Sequence, residues 1–111
     1  MITSNFRKEL ADSWFDYLQR QICKEFEFLE DNRFKFSKRD WKKEKEREGG
    51  GTSCLLSGGK IFDKVGVNKS TVSGVFPKRF RSKIFGAEKK GIYWASGVSV
   101  VAHMKNPKIP A

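Results

Sequence analysis

Residues 49–74 read GGGTSCLLSGGKIFDKVGVNKSTVSG, and how this stretch folds decides the rest of the chain. Three adjacent glycines, Gly49, Gly50 and Gly51, have no side chains to pack and suit a backbone that bends sharply or lies against another group. On either side of Gly58 and Gly59 run short segments rich in β-branched and aromatic residues. That pattern predicts a hairpin with strands over 52–57 and 60–67 inside a glycine-rich region spanning 49–76. Strict alternation puts Ile61, Asp63, Val65 and Val67 on one face and Phe62, Lys64 and Gly66 on the other. Asn68-Lys69-Ser70 reads as a polar exit, and 70–76 as a further strand with Val72, Gly74 and Phe76 on one face.

Upstream, residues 5–30 predict one amphipathic helix. Leu10, Trp14, Leu18, Ile22, Phe26 and Leu29 recur at three- and four-residue steps, with Asp12, Asp16, Arg20 and Lys24 on the more solvated side. No Pro or Gly interrupts it. Such a helix is expected to cover a sheet. A helix lying on a membrane surface would carry fewer acids on its polar side. Residues 31–48 are ambiguous between an edge strand, a short helix and a loop, and WKKEKERE, with its mixed charge, reads as a solvated surface. Downstream, Pro77 opens a short helix over PKRFRSKIFG, ended by Gly86. Residues 92–104, IYWASGVSVVAHM, are apolar on both faces, which predicts a central strand. Tyr93, Ala95, Gly97, Ser99, Val101 and His103 share one of those faces, and the prolines of NPKIPA end the strand. The expected architecture is α+β: one domain over 1–111, an N-terminal helix packed on a largely antiparallel sheet.

The chain has 111 residues and a formal net charge of +10. Residues 1–50 hold 12 basic and 11 acidic side chains; residues 51–111 hold 11 basic and 2 acidic. The excess positive charge therefore lies in the half that reads as sheet, and an anionic partner is expected. Nucleic acid and a small anionic ligand both satisfy that condition. Cys23 and Cys54 make no disulfide framework and read as reduced, partly buried thiols. No apolar leader and no run of about 20 apolar residues is present, so there is no membrane span and cytoplasm is the default compartment. His103 is the only histidine. No Cys/His cluster accompanies it, and GGK lacks the spacing of a phosphate loop. Ser99 lies roughly 13 Å along the strand from His103, too far for direct activation of a nucleophile.

Three blocks of the sequence resemble the N-terminal part of the oxygen-dependent coproporphyrinogen III oxidase family. They are REGGGTSC (residues 47–54), GGKIFDKVGVNKSTVSG (58–74) against a pattern GxxFEKAGVNxSxVxG, and GVSVVAH (97–103) followed by Asn106-Pro107 and Pro110. Order and spacing agree from Arg47 onward. The resemblance implies oxidative decarboxylation of two propionates of coproporphyrinogen III, giving protoporphyrinogen IX in heme biosynthesis. Dioxygen is the co-substrate and the enzyme is a homodimer. It makes Ser99 a substrate contact and His103 the counterpart of a histidine assigned to a divalent metal in bacterial members, with Gly49, Gly50, Gly51, Gly66 and Gly74 as structural glycines. The substrate's four carboxylates give the basic half a reason independent of nucleic acid. Three departures stand out: Trp41 lies six residues before Arg47 where the family has Trp-x-Arg, three glycines replace four, and Met104 replaces a proline. The family's proposed proton-donor histidine and an Asn-x-Arg contact would follow Ala111. The 111 residues are therefore expected to be inactive as an oxidase alone.

Overall fold

The computed structural model describes residues 3–85 and 90–110. One long helix, α1 (Ser4–Leu29), is followed by strands β1 (Ser37–Lys42), β2 (Gly49–Ser57), β3 (Phe62–Val75) and β4 (Ile92–Met104). A 3-10 turn, Glu46–Glu48, joins β1 to β2, and a short helix, α2 (Lys78–Arg81), lies between β3 and β4. The four strands form one antiparallel sheet in the order β1-β2-β3-β4. This is the expected α+β arrangement, a helix on an antiparallel sheet. No described helix is long and apolar enough to cross a membrane.

Thr3 caps α1, its hydroxyl accepting from the Phe6 N–H at 3.1 Å. At the other end Asp31 and Asn32 adopt left-handed backbone, φ 56° and 57°, and the Asn32 N–H returns to the Glu27 carbonyl at 2.8 Å. Asn and Asp tolerate that conformation better than most residues, and the chain turns there toward β1. Glu30 then ties the helix end to the hairpin. Its buried carboxylate accepts from the backbone N–H of Lys60 (3.1 Å), Ile61 (2.9 Å) and Phe62 (3.2 Å). Gly59 is in contact with that carboxylate, and a Cβ there would collide with it.

The helix does not lie on the sheet by its apolar stripe. Each i,i+4 step turns about 40° round the axis, so a run of such steps winds from one side of a helix to the other. Leu10 and Trp14 point to solvent, Trp14 being 55% exposed, and only Ile22 and Phe26 reach the core. The sheet-facing side carries Asp12, Asp16, Gln19, Cys23 and Glu30, with Asp12 and Asp16 placed against the sheet rather than on the solvated side. Polar residues can occupy this interface because each finds a partner. Gln19 donates to the Thr52 and Val67 carbonyls at 2.8 and 3.0 Å. Lys69 rises from β3, 7% exposed, to meet Asp12 at 2.6 Å and Asp16 at 3.0 Å. Thr71 donates to Asp12 and lies 2.7 Å from the Ser96 hydroxyl.

The apolar core is small: Leu56, Val65 and Val67 are fully buried, joined by Cys23, Cys54 and Phe62. Both cysteines are free thiols. Burial, then the neighbouring Cys54 thiol and Glu27, push the Cys23 thiol up to about 12.

Three further expectations are corrected. First, β3 is one continuous strand of 14 residues, not two broken at Asn68-Lys69-Ser70. Lys69 is held in the ladder because its charge is neutralised by α1. Second, simple alternation separates Phe62 from Val65 and Val67. An irregularity between Phe62 and Lys64 inserts Asp63, so Phe62 pairs with Met104 and joins the core. A bulged residue shifts the facing of everything beyond it. Third, β4 is an edge strand among the described residues, hydrogen-bonded only to β3. Apolarity on both faces reports what covers the faces, not how many strands flank the edges. The helix expected over residues 77–86 is confined to Lys78–Arg81, and Gly86 lies outside the described residues. The radius of gyration is 17.5 Å and the extents are 51 × 32 × 27 Å.

Candidate functional site

Directly paired residues of antiparallel strands place their side chains on the same face. The ladder therefore sorts the sheet into a helix-covered face and an open one. Val65, Val67, Lys69 and Thr71 of β3, with Ser96, Val98 and Val100 of β4, belong to the covered face. Ser99 and His103 both belong to the open face and are exposed there. Ser99 pairs with Asn68, and His103 pairs with Lys64.

Following the register across the sheet gives two neighbouring rows on the open face. The first is polar: Arg39 pairs with Ser53, Ser53 with Asn68, and Asn68 with Ser99. The second is nearly free of side chains: Trp41 pairs with Gly51, Gly51 with Ser70, and Ser70 with Gly97. Trp41 lies down on Gly51, where a Cβ would come within 2.9 Å of its indole. At Gly97 an added Cβ would touch nothing within 4 Å. The indole thus covers the Gly51 end of this row, and the Gly97 end is bare. Between β3 and β4 lies a depression of about 290 Å³ bordered by Asn68, Ser70, Ala95, Gly97 and Ser99.

The electrostatics of this face are one-sided. Arg39, Lys64 and His103 stand at its paired positions, and no carboxylate does. Larger depressions exist, about 550 Å³ beside the glycine cluster and about 450 Å³ at the end of α1. The first mixes Asp12, Asp40 and Glu46 with Lys42 and Lys69, and the second mixes Glu30 and Asp31 with Arg33, Lys60 and Lys105, so neither has the one-sided charge of the open face. On the covered face, Asp12 and Lys69 hold each other charged. Burial would raise the Asp12 carboxyl, but hydrogen bonds from Lys69 and Thr71 outweigh it and keep it below the usual range. For Lys69, burial would lower the ammonium, and the bonds to Asp12 and Asp16 raise it instead.

The expected structural glycines divide. Gly49 has φ 99°, a left-handed value that favours glycine, and Gly50 packs against the Trp41 carbonyl. Gly74 lies under Tyr93, whose hydroxyl an added Cβ would approach to 2.7 Å. Gly66 is different. It pairs with Leu55 and Val101 on the open face, and a Cβ there would meet nothing within 4 Å. No steric requirement holds a glycine at that position.

His103 pairs across the strands with Lys64, and no three His, Cys, Asp or Glu side chains converge among the described residues. A divalent ion needs several donors and compensating negative charge, and the described residues around His103 supply one imidazole. Arg39, Asn68 and Trp41 were not singled out as site residues from sequence. Their signal is the strand register, and spacing along one strand carries no information about position across four.

A family model described as coproporphyrinogen III oxidase matches residues 11–111. Among curated proteins, the oxygen-dependent coproporphyrinogen-III oxidase of Rickettsia typhi is 46% identical over 113 aligned residues, covering 94% of this chain and 39% of the relative. The proteins of the same name from Rickettsia felis and Rickettsia bellii are 45% and 44% identical with the same coverage. The chain thus spans about two fifths of the length of these relatives.

Proposed function

Because the chain belongs to the coproporphyrinogen III oxidase family, we propose that its open sheet face binds coproporphyrinogen III or a closely related tetracarboxylate tetrapyrrole, with the Ser99 hydroxyl as a direct contact. The observation that carries this reading is the Asn68–Ser99 pair at the centre of an exposed face that has Arg39, Lys64 and His103, and no carboxylate, at its paired positions. A tetra-anion is attracted to such a face, and a macrocycle can approach closely where glycines leave the backbone bare.

In the family's reaction two propionates are oxidatively decarboxylated with dioxygen as oxidant. Such chemistry needs one propionate oriented and desolvated, and fixed groups matched to the charge that develops. Ser99 contributes orientation. His103 offers a single proton-transfer group beside a cation, with no carboxylate paired to it on the sheet. The 111 residues accordingly supply a binding floor, and turnover by the isolated chain is expected to be at background level.

Fluorescence titration of the purified chain with coproporphyrin III, the stable oxidised form, tests this. Saturable binding is expected, weakened about tenfold by Ser99→Ala through loss of a hydrogen bond to a charged group. Tighter binding of a labelled DNA duplex or single strand than of the porphyrin at physiological salt would overturn the reading. Oxygen-dependent decarboxylation of coproporphyrinogen III above the no-protein rate, lost on His103→Ala, would overturn the part that denies turnover.

A further inference from the structure

We propose that Arg39 is a carboxylate anchor of this site, setting which end of a tetracarboxylate macrocycle lies toward β1. The inference rests on the tetrapyrrole reading above and extends it to a strand that the motifs do not reach. Arg39 begins the polar row that ends at Ser99. With strands about 4.8 Å apart, the two Cα atoms are separated by three spacings, roughly 14 Å. A macrocycle resting over Ser53 and Asn68 has carboxylates at its rim, so one end meets Arg39 while the other meets Ser99. Ser53 and Asn68, between them, offer oxygens that accept from pyrrole N–H groups.

Three observations single out Arg39. Its side chain shares the open face, whereas Lys38 and Asp40, its neighbours in sequence, share the covered face. Asp40 is engaged there, accepting from the hydroxyl of its cross-strand partner Thr52 at 2.9 Å. Arg39 is exposed and has no ion-pair partner among the described residues. A guanidinium also suits the task chemically, because its planar fork grips a carboxylate by two parallel hydrogen bonds. Trp41, two residues on, shares the open face with Arg39 and covers Gly51 in the neighbouring row.

The test uses the whole 111-residue chain and coproporphyrin III, with Lys38→Gln as the control that removes the same charge from the opposite face. Arg39→Gln is expected to raise Kd about tenfold, with Arg39→Lys recovering only part of the loss. Lys38→Gln should stay within about twofold, because an exposed charge on the far face is screened. Binding of the uncharged tetramethyl ester, measured in mild detergent, should be indifferent to Arg39→Gln. Equal effects of Arg39→Gln and Lys38→Gln, or an equal loss for the ester, would overturn the anchor. If the wild type binds and Ser99→Ala weakens binding while Arg39→Gln does not, the anchor alone falls. If the wild type does not bind coproporphyrin III, the tetrapyrrole reading falls and takes the anchor with it.

Discussion

Lys69 carries a full charge almost out of water, and it is tolerable only because two carboxylates from α1 meet it. Removing one partner of such a cluster leaves like charges facing each other. Asp12 and Asp16 keep about two fifths of their side chains in solvent, which softens the penalty. Lys69→Ala is therefore expected to cost about 2 kcal/mol by urea unfolding, less than a fully buried pair. The pH dependence follows from the two directions of shift. Asp12 titrates lower folded than unfolded, so its contribution is present above about pH 4 and fades as pH falls through the folded value. Lys69 titrates higher folded than unfolded, so its contribution is complete below about pH 10.4 and is lost as pH rises through the folded value. Asp12→Asn should flatten the acid limb of a stability profile measured from pH 3 to 7, and an unchanged limb would exclude Asp12 as its source. Gly59 offers a second test. Glu30 can move away from a new Cβ only by releasing three backbone amides. Gly59→Ala is expected to cost about 2 kcal/mol in the wild type and less in a Glu30→Ala background, where only the approach to the Phe62 carbonyl at 2.8 Å remains, and additive costs would break the link.

At the scale of elements, the sequence made some features legible and hid others for definable reasons. The Gly58-Gly59 hairpin was readable because turn chemistry is local, and the helix because its periodicity runs uninterrupted. Which side of α1 met the sheet was not readable: a winding apolar stripe looks continuous in sequence, while the partners of Asp12, Gln19 and Glu30 lie 30 or more residues away. The Asn68-Lys69-Ser70 break failed for the same reason, since a lysine reads as surface until its carboxylates are known. Of the site, Ser99 and His103 were reached through the family motifs; Arg39 and Asn68 needed the register. β4 carries its own prediction. Its outer edge has no strand partner among the described residues, and Val101 on the open face is 55% exposed. Exposed apolar edges pair with other chains, and a lysine placed on such a strand discourages it. Sedimentation equilibrium should give an average mass that rises with protein concentration and returns toward 12.8 kDa in Val101→Lys. A wild-type mass fixed at that of the monomer would contradict this.

The molecule as a whole is a slab one helix deep on one side and bare on the other. Its accessible surface is 8581 Å², where a compact monomer of this mass exposes about 6,300 Å². That surplus is the size of an obligate subunit or domain interface, and it includes the outward stripe of α1 as well as the open sheet face. The radius of gyration of 17.5 Å likewise exceeds the roughly 13 Å of a compact chain this long. Slab geometry has a consequence for transport through solvent. A body of 51 × 32 × 27 Å drags more water and turns end over end more slowly than a sphere of equal mass. Even a strict monomer will therefore leave a gel-filtration column ahead of globular standards and give broadened NMR lines.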